Sequence, residues 1–170
     1  SWSPAFLADY IEETHHRYVQ EKTPIILSYL AKLSQKHGGR HPELLEINQL
    51  FSDSANELAS HMQKEEQILF PRIRNLATMN ADSPQDHLVT SSILNAPIKV
   101  MMHEHDNEGE RFKKIDILTD HYQPPADACN TYKVTYALLQ EFENDLHLHI
   151  HLENNILFPK AVQMEKELMN

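Results

Sequence analysis

One stretch of this chain is written twice. Residues 57–71 read ELASHMQKEEQILFP and residues 145–159 read DLHLHIHLENNILFP. With His61 laid on His149, the copies share a leucine, the histidine, a glutamate and the whole Ile-Leu-Phe-Pro ending. Self-similarity of this kind marks equivalent structural units, so the fold has to offer two like environments. In each copy a histidine precedes a glutamate by four residues, His61 before Glu65 and His149 before Glu153. On an α-helix such positions share a face about one turn apart, and an imidazole and a carboxylate there can aim at one point. A single pair of this kind is common on solvated helices. Two copies with the same apolar tail read as a site.

The remaining pattern supplies helices to carry the repeat. Only three glycines occur, and the nine prolines fall mostly near apparent element ends. Apolar residues recur near the helical period in four segments: about Pro4 to Lys36, Pro42 to Leu76, Ser91 to His121, and Ala126 to Glu167. Pro24 is expected to kink the first or reset its turn. Gly38-Gly39 followed by Pro42 is a helix stop, Asn80 to Pro84 reads as a loop, and Pro124-Pro125 breaks the chain again. No alternating β pattern competes. Short connections between long helices favour antiparallel neighbours. The expected fold class is therefore all-α, an up-down-up-down four-helix bundle with an internal two-helix repeat, in a single domain over residues 1–170.

Composition narrows the functional classes. A formal net charge of −10 argues against a nucleic-acid footprint or an anionic membrane surface. No apolar run approaches the roughly 20 residues that span a bilayer, and Ser1-Trp2-Ser3-Pro4 does not begin a signal peptide. Cys129 is the sole cysteine, so no intrachain disulfide forms, and it reads as a small buried apolar residue. The expected setting is cytoplasmic. The anomaly is histidine, with twelve in the chain.

Two helices carrying His and Glu bring two imidazoles and two carboxylates together. A carboxylate can bridge two metal ions while imidazoles terminate each. Carboxylate with imidazole and no thiolate suits iron or manganese better than structural zinc. The alignment selects among neighbours: Glu66 falls on Asn154, His147 on Ala59 and His151 on Gln63, which leaves Glu65, Glu153 and His149 as the paired positions. Glu57 and Asp145, each four residues before a repeated histidine, are candidates for outer groups that orient an imidazole or govern proton access. Equally, they fit ordinary helix-surface acids.

The other two helices must complete the coordination. His105 continues the core-facing row Ile98–His105–Phe112, whereas His103 lies with Lys99, Asp106 and Glu110 on a polar face. Glu104 beside His105 either lines an entry path or points sideways into solvent. In the first helix, periodicity leans slightly to His15 over His16 and leaves both open.

The stretches HHRY with a proline eight residues after its second histidine, HMQKEEQILFP, EHDNEG and HIHLENNILFP, in this order, resemble the hemerythrin-like domain of the repair-of-iron-centres family. The likeness covers essentially the whole chain. It implies a carboxylate- and oxo-bridged pair of non-haem iron ions, with the histidine eight before the proline, His16, as the ligand of the first helix. The other ligands implied are His61, Glu65, His105, His149 and Glu153. The function implied is repair of iron–sulfur clusters damaged by nitric oxide or oxidants, through iron delivery or nitric oxide handling. Damaged iron–sulfur proteins or cluster scaffold proteins are the implied partners, with nitric oxide or dioxygen as small ligands. A hemerythrin-like oxygen or redox sensor without turnover is the alternative. Family members usually carry a small N-terminal domain with adjacent cysteines, and this chain begins where that domain would end.

Overall fold

Each of four long helices alternates between apolar stretches and one short polar stretch, and this alternation organises the molecule. The computed structural model describes residues 1–82 and 91–169. The first helix (residues 4–37) consists of α-helical Pro4–Tyr10, a π-helical turn Ile11–His16 and α-helical Arg17–His37. The second (residues 43–82) runs through Glu43–Lys64, a π turn Glu65–Leu69 and Phe70–Asp82. The third is Asn95–Leu118. The fourth (residues 130–169) joins Asn130–His151, a π turn Leu152–Leu157 and Phe158–Met169. No strand occurs among the described residues.

Two apolar cores form, one on each side of a polar layer. One gathers Leu7, Ile11, Phe70, Ile98, Met101 and Phe158. The other gathers Leu30, Phe51, Leu58, Phe112, Phe142 and Leu146. Their order along the chain reverses from each helix to the next, and the start of the first helix packs on the end of the second. Between the cores, the same four helices place the buried polar residues His15, His16, His61, Glu65, His105, His149 and Glu153.

The local sequence explains several boundaries. Proline lacks an N–H and its ring crowds the carbonyl four residues earlier. The π turns of the second and fourth helices end just ahead of Pro71 and Pro159, where a widened turn relieves that crowding. Gly38 closes the first helix through its N–H to Ser34 O at 3.1 Å. A Cβ there would lie 2.2 Å from that carbonyl oxygen, so only glycine fits.

Other boundaries differ from the sequence reading. Arg17–His37 is an unbroken α-helical run through Pro24, and the irregular turn of that helix falls earlier, at Ile11–His16. The second helix continues past Leu76 to Asp82, so Asn80–Asp82 are helical rather than loop, while Ser83 and Pro84 lie outside the described residues. The third helix starts at Asn95, not near Ser91, because Ser92 Oγ accepts the Asn95 N–H at 3.1 Å while Glu165 holds Ser92 and Ile93. It ends at Leu118, where Asp120, His121 and Tyr122 turn into the left-handed region with φ of 50°, 58° and 62°. The fourth helix starts at Asn130 and runs past Glu167 to Met169. Cys129 precedes it in extended backbone, half-buried, with its Sγ 3.4 Å from His37 Nε2.

Candidate metal centre

The polar layer resolves into two clusters. His16, Glu65 and His149 offer ligand atoms within 4.8 Å of one another, and so do His61, His105 and Glu153. All six side chains are buried, with Glu65 and Glu153 at 0 % exposure. Each cluster draws on three helices. The carboxylates lie between the clusters: Glu65 Oε1 is 3.4 Å from His16 Nε2, 2.9 Å from His61 Nε2 and 4.0 Å from His149 Nε2. Glu153 Oε1 is 2.6 Å from His149 Nε2 and 3.4 Å from His105 Nε2.

Three of the four imidazoles are gripped from behind. His16 Nδ1 meets Glu66 Oε1 at 2.9 Å, His61 Nδ1 meets Glu104 Oε1 at 3.0 Å, and His105 Nδ1 meets Asn154 Oδ1 at 2.7 Å. These oxygens accept, so Nδ1 of each ring carries the proton and Nε2 presents a lone pair to the interior. Ring stacking fixes the planes. Phe70 lies on His16 with centroids 5.8 Å apart and planes 10° apart, and Phe158 lies on His105 at 6.1 Å and 4°. The repeated Leu-Phe-Pro thus seats an imidazole from the preceding helix.

The interior so formed is short of protons. His105 Nε2 faces His61 Nε2 at 3.1 Å, although each ring has its proton on the far nitrogen. Nε2 of His16 and of His149 and all four oxygens of Glu65 and Glu153 are buried without a hydrogen-bond partner. Unpaired buried polar atoms are costly, and lone pairs facing one another repel. Cations placed among them satisfy both conditions, and imidazole with carboxylate is a donor set for iron, manganese or zinc. The residues fit a metal pair.

Electrostatics follow the same geometry. Burial pushes His105 down to about 4, helped by neighbouring His61, and burial drives His149 well below the ordinary imidazole value. Burial opposes ionisation of Glu65, but the imidazoles of His61 and His16 outweigh it and hold the carboxyl far below the usual range. At His16 and His61 burial is likewise outweighed, here by Glu65 and by Glu66 or Glu104, and both are raised.

The residues weighed in the sequence reading take different places. Glu104 turns inward to His61 and also pairs with Lys64 at 2.5 Å. Asp145 binds His15 Nδ1 at 3.1 Å rather than His149. Glu57 is exposed and lies on the rim of a pocket of about 10 Å³, shared with His61, Glu104, His105, Glu108 and His149. His15, set aside in favour of His16, is buried and stacks on His149 with centroids 5.5 Å apart and planes 15° apart. Glu66 and Asn154 each grip an imidazole, a role that their alignment with one another does not by itself reveal. Their shared position, directly after each repeated glutamate, was the available hint. His103, on the polar face, is exposed.

A model of the hemerythrin HHE cation binding domain matches residues 8–161. The chain belongs to this family. The relatives it resembles include the iron-sulfur cluster repair protein YtfE of Musicola paradisiaca, 37% identical over 97% of this chain and 70% of that protein. A probable iron-sulfur cluster repair protein of Haemophilus influenzae is 36% identical over 95% of the chain and 67% of its own length. The repair protein ScdA of Staphylococcus epidermidis is 30% identical over 91% and 65%. The chain spans about two thirds of the length of these relatives. No described helix is long and apolar enough to cross a membrane.

Proposed function

We propose that the six buried side chains hold a pair of non-haem iron ions, His16, His149 and Glu65 at one position and His61, His105 and Glu153 at the other. Glu65 and Glu153, each near imidazoles of both clusters, are the bridging ligands. In this reading residues 1–170 form one up-down-up-down four-helix bundle. The first and second helices correspond to the third and fourth. The reversing order of the two cores supports that arrangement.

The protein supports repair of iron–sulfur clusters, the role its relatives are named for, where nitrosative or oxidative stress has damaged them, and it does so by delivering iron. An iron pair supplies exchangeable ferrous or ferric ions and open positions for small ligands. The chain does the rest. Glu66, Glu104 and Asn154 hold the imidazoles aimed, the two cores keep bulk water out, and a narrow pocket among the described residues reaches the ligands. That pocket is rimmed by Glu57, Glu104 and Glu108; Glu104 is paired with Lys64 and Glu108 with Arg111, and the exposed carboxylate of Glu57 favours a cation over a neutral gas. This is the observation that carries delivery over nitric oxide handling. The setting is cytoplasmic, the partners are damaged iron–sulfur proteins or a cluster scaffold, and neither nucleic acid nor membrane takes part.

The test is transfer. Iron-loaded protein mixed with an apo cluster scaffold, a desulfurase and cysteine is expected to give the scaffold's cluster absorption faster than the same iron buffered by citrate. Equal rates would remove the delivery role. Reversible oxygen binding with no iron transfer would favour the sensor reading instead.

A further inference from the structure

The two halves of the site differ in kind at one grip, Glu66 behind His16 against Asn154 behind His105, and in presence at the other. Glu104, directly before His105, grips Nδ1 of His61 at 3.0 Å. The residue directly before His16 is His15. His15 spends its own Nδ1 on Asp145 at 3.1 Å and lies flat against His149, with planes 15° apart. Ring nitrogens bond in the plane of the ring, so stacked imidazoles cannot hydrogen-bond to each other. Accordingly, His149 Nδ1 and His15 Nε2 are both buried without a partner. His149 is also the one member of its cluster that lines the acid-rimmed pocket.

We infer that the two metal positions differ in hold: the ion at His16, His149 and Glu65 leaves first, through His149, and the residues before the helix-one and helix-three ligands, His15 and Glu104, set the difference. This rests on the iron pair proposed above. A carboxylate behind a ligand imidazole fixes its tautomer and orientation and makes it a better donor, and removing such a partner costs about 10- to 100-fold in metal affinity. The His61, His105 and Glu153 position has both imidazoles gripped, by Glu104 and Asn154, whereas the other has only His16 gripped, by Glu66. His15 and Glu104 are positioning residues, acting on the metal through His149 and His61.

The experiment is release of iron from the loaded protein to excess chromophoric chelator, followed in time, with iron content measured beforehand. Two phases of equal amplitude are expected, separated by about tenfold or more. Glu104→Gln should speed only the slow phase, bringing it toward the fast one. His15→Glu combined with Asp145→Asn, which places a carboxylate behind His149 without a second acid beside it, should slow only the fast phase. Should that variant fail to fold, Glu104→His carries the test alone by making the halves alike, and its release should collapse into one fast phase. A protein holding about two irons that releases them in one phase, or whose phases ignore Glu104 substitution, overturns this inference and leaves the iron pair standing. A protein that binds fewer than two irons overturns the pair and the inference together.

Discussion

Replacing Glu66 separates the contribution of a charged acceptor from that of any acceptor. Glu66 Oε1 takes the Nδ1 proton of His16 at 2.9 Å, and its side chain is 34% exposed. A hydrogen bond to a charged group contributes about 1.5–3 kcal/mol and a neutral one about 0.5–1.5 kcal/mol. Glu66→Gln keeps an acceptor and loses the charge, which costs about 1 kcal/mol, or roughly fivefold in metal affinity. Glu66→Ala leaves the buried Nδ1 proton without a protein partner and costs about 2 kcal/mol, or roughly 30-fold. The partial exposure of Glu66 keeps the alanine value in the lower half of the 10- to 100-fold range usual for losing such an outer partner, and the glutamine value below that range. Asn154 already plays the neutral role behind His105, so glutamine at 66 is a tolerated chemistry. The assay is competition for iron against a chelator of known affinity, with thermal melting of the metal-free variants to confirm folding. Equal affinity in all three proteins would refute the reasoning, and so would equal losses for alanine and glutamine.

Other consequences are simpler to read. Glu65→Ala or Glu153→Ala removes a carboxylate lying between both clusters, and elemental analysis should find at most about one iron per chain in either variant. Phe142 is buried, edge-on to Phe51 at 5.1 Å and stacked on Phe112 at 5.7 Å, so Phe142→Ala should lower stability by about 3–5 kcal/mol in denaturant titration. Arg74 ties the first helix to the second through Asp9 and Glu12, both at 2.9 Å. These pairs are partly exposed, so Arg74→Ala should cost only about 0.5–1 kcal/mol and leave iron content unchanged.

Much of the arrangement was legible because the repeat and the helical period say the same thing. The row Ile98–His105–Phe112 marked an inward histidine, and all three residues are buried. The period failed at His15 and His16 for a physical reason. Both sit in the π turn Ile11–His16, where the register slips, so two consecutive residues face the interior and a 3.6-residue stripe cannot rank them. The imidazole grips of Glu66, Glu104 and Asn154 were not legible either. Each joins residues 40 or more positions apart on different helices, and a polar residue beside a ligand looks the same in sequence whether it turns to solvent or to a neighbouring ring. Helix ends shifted where side chains from elsewhere decide them, as Glu165 does at the start of the third helix.

The central claim is that six named side chains hold two iron ions. Anomalous diffraction at the iron edge, on crystals of the iron-loaded protein, tests it without reference to activity. Two peaks are expected, one among His16, His149 and Glu65 and one among His61, His105 and Glu153, with the carboxylates of Glu65 and Glu153 reaching both. A single peak, or iron bound away from these residues, would contradict it.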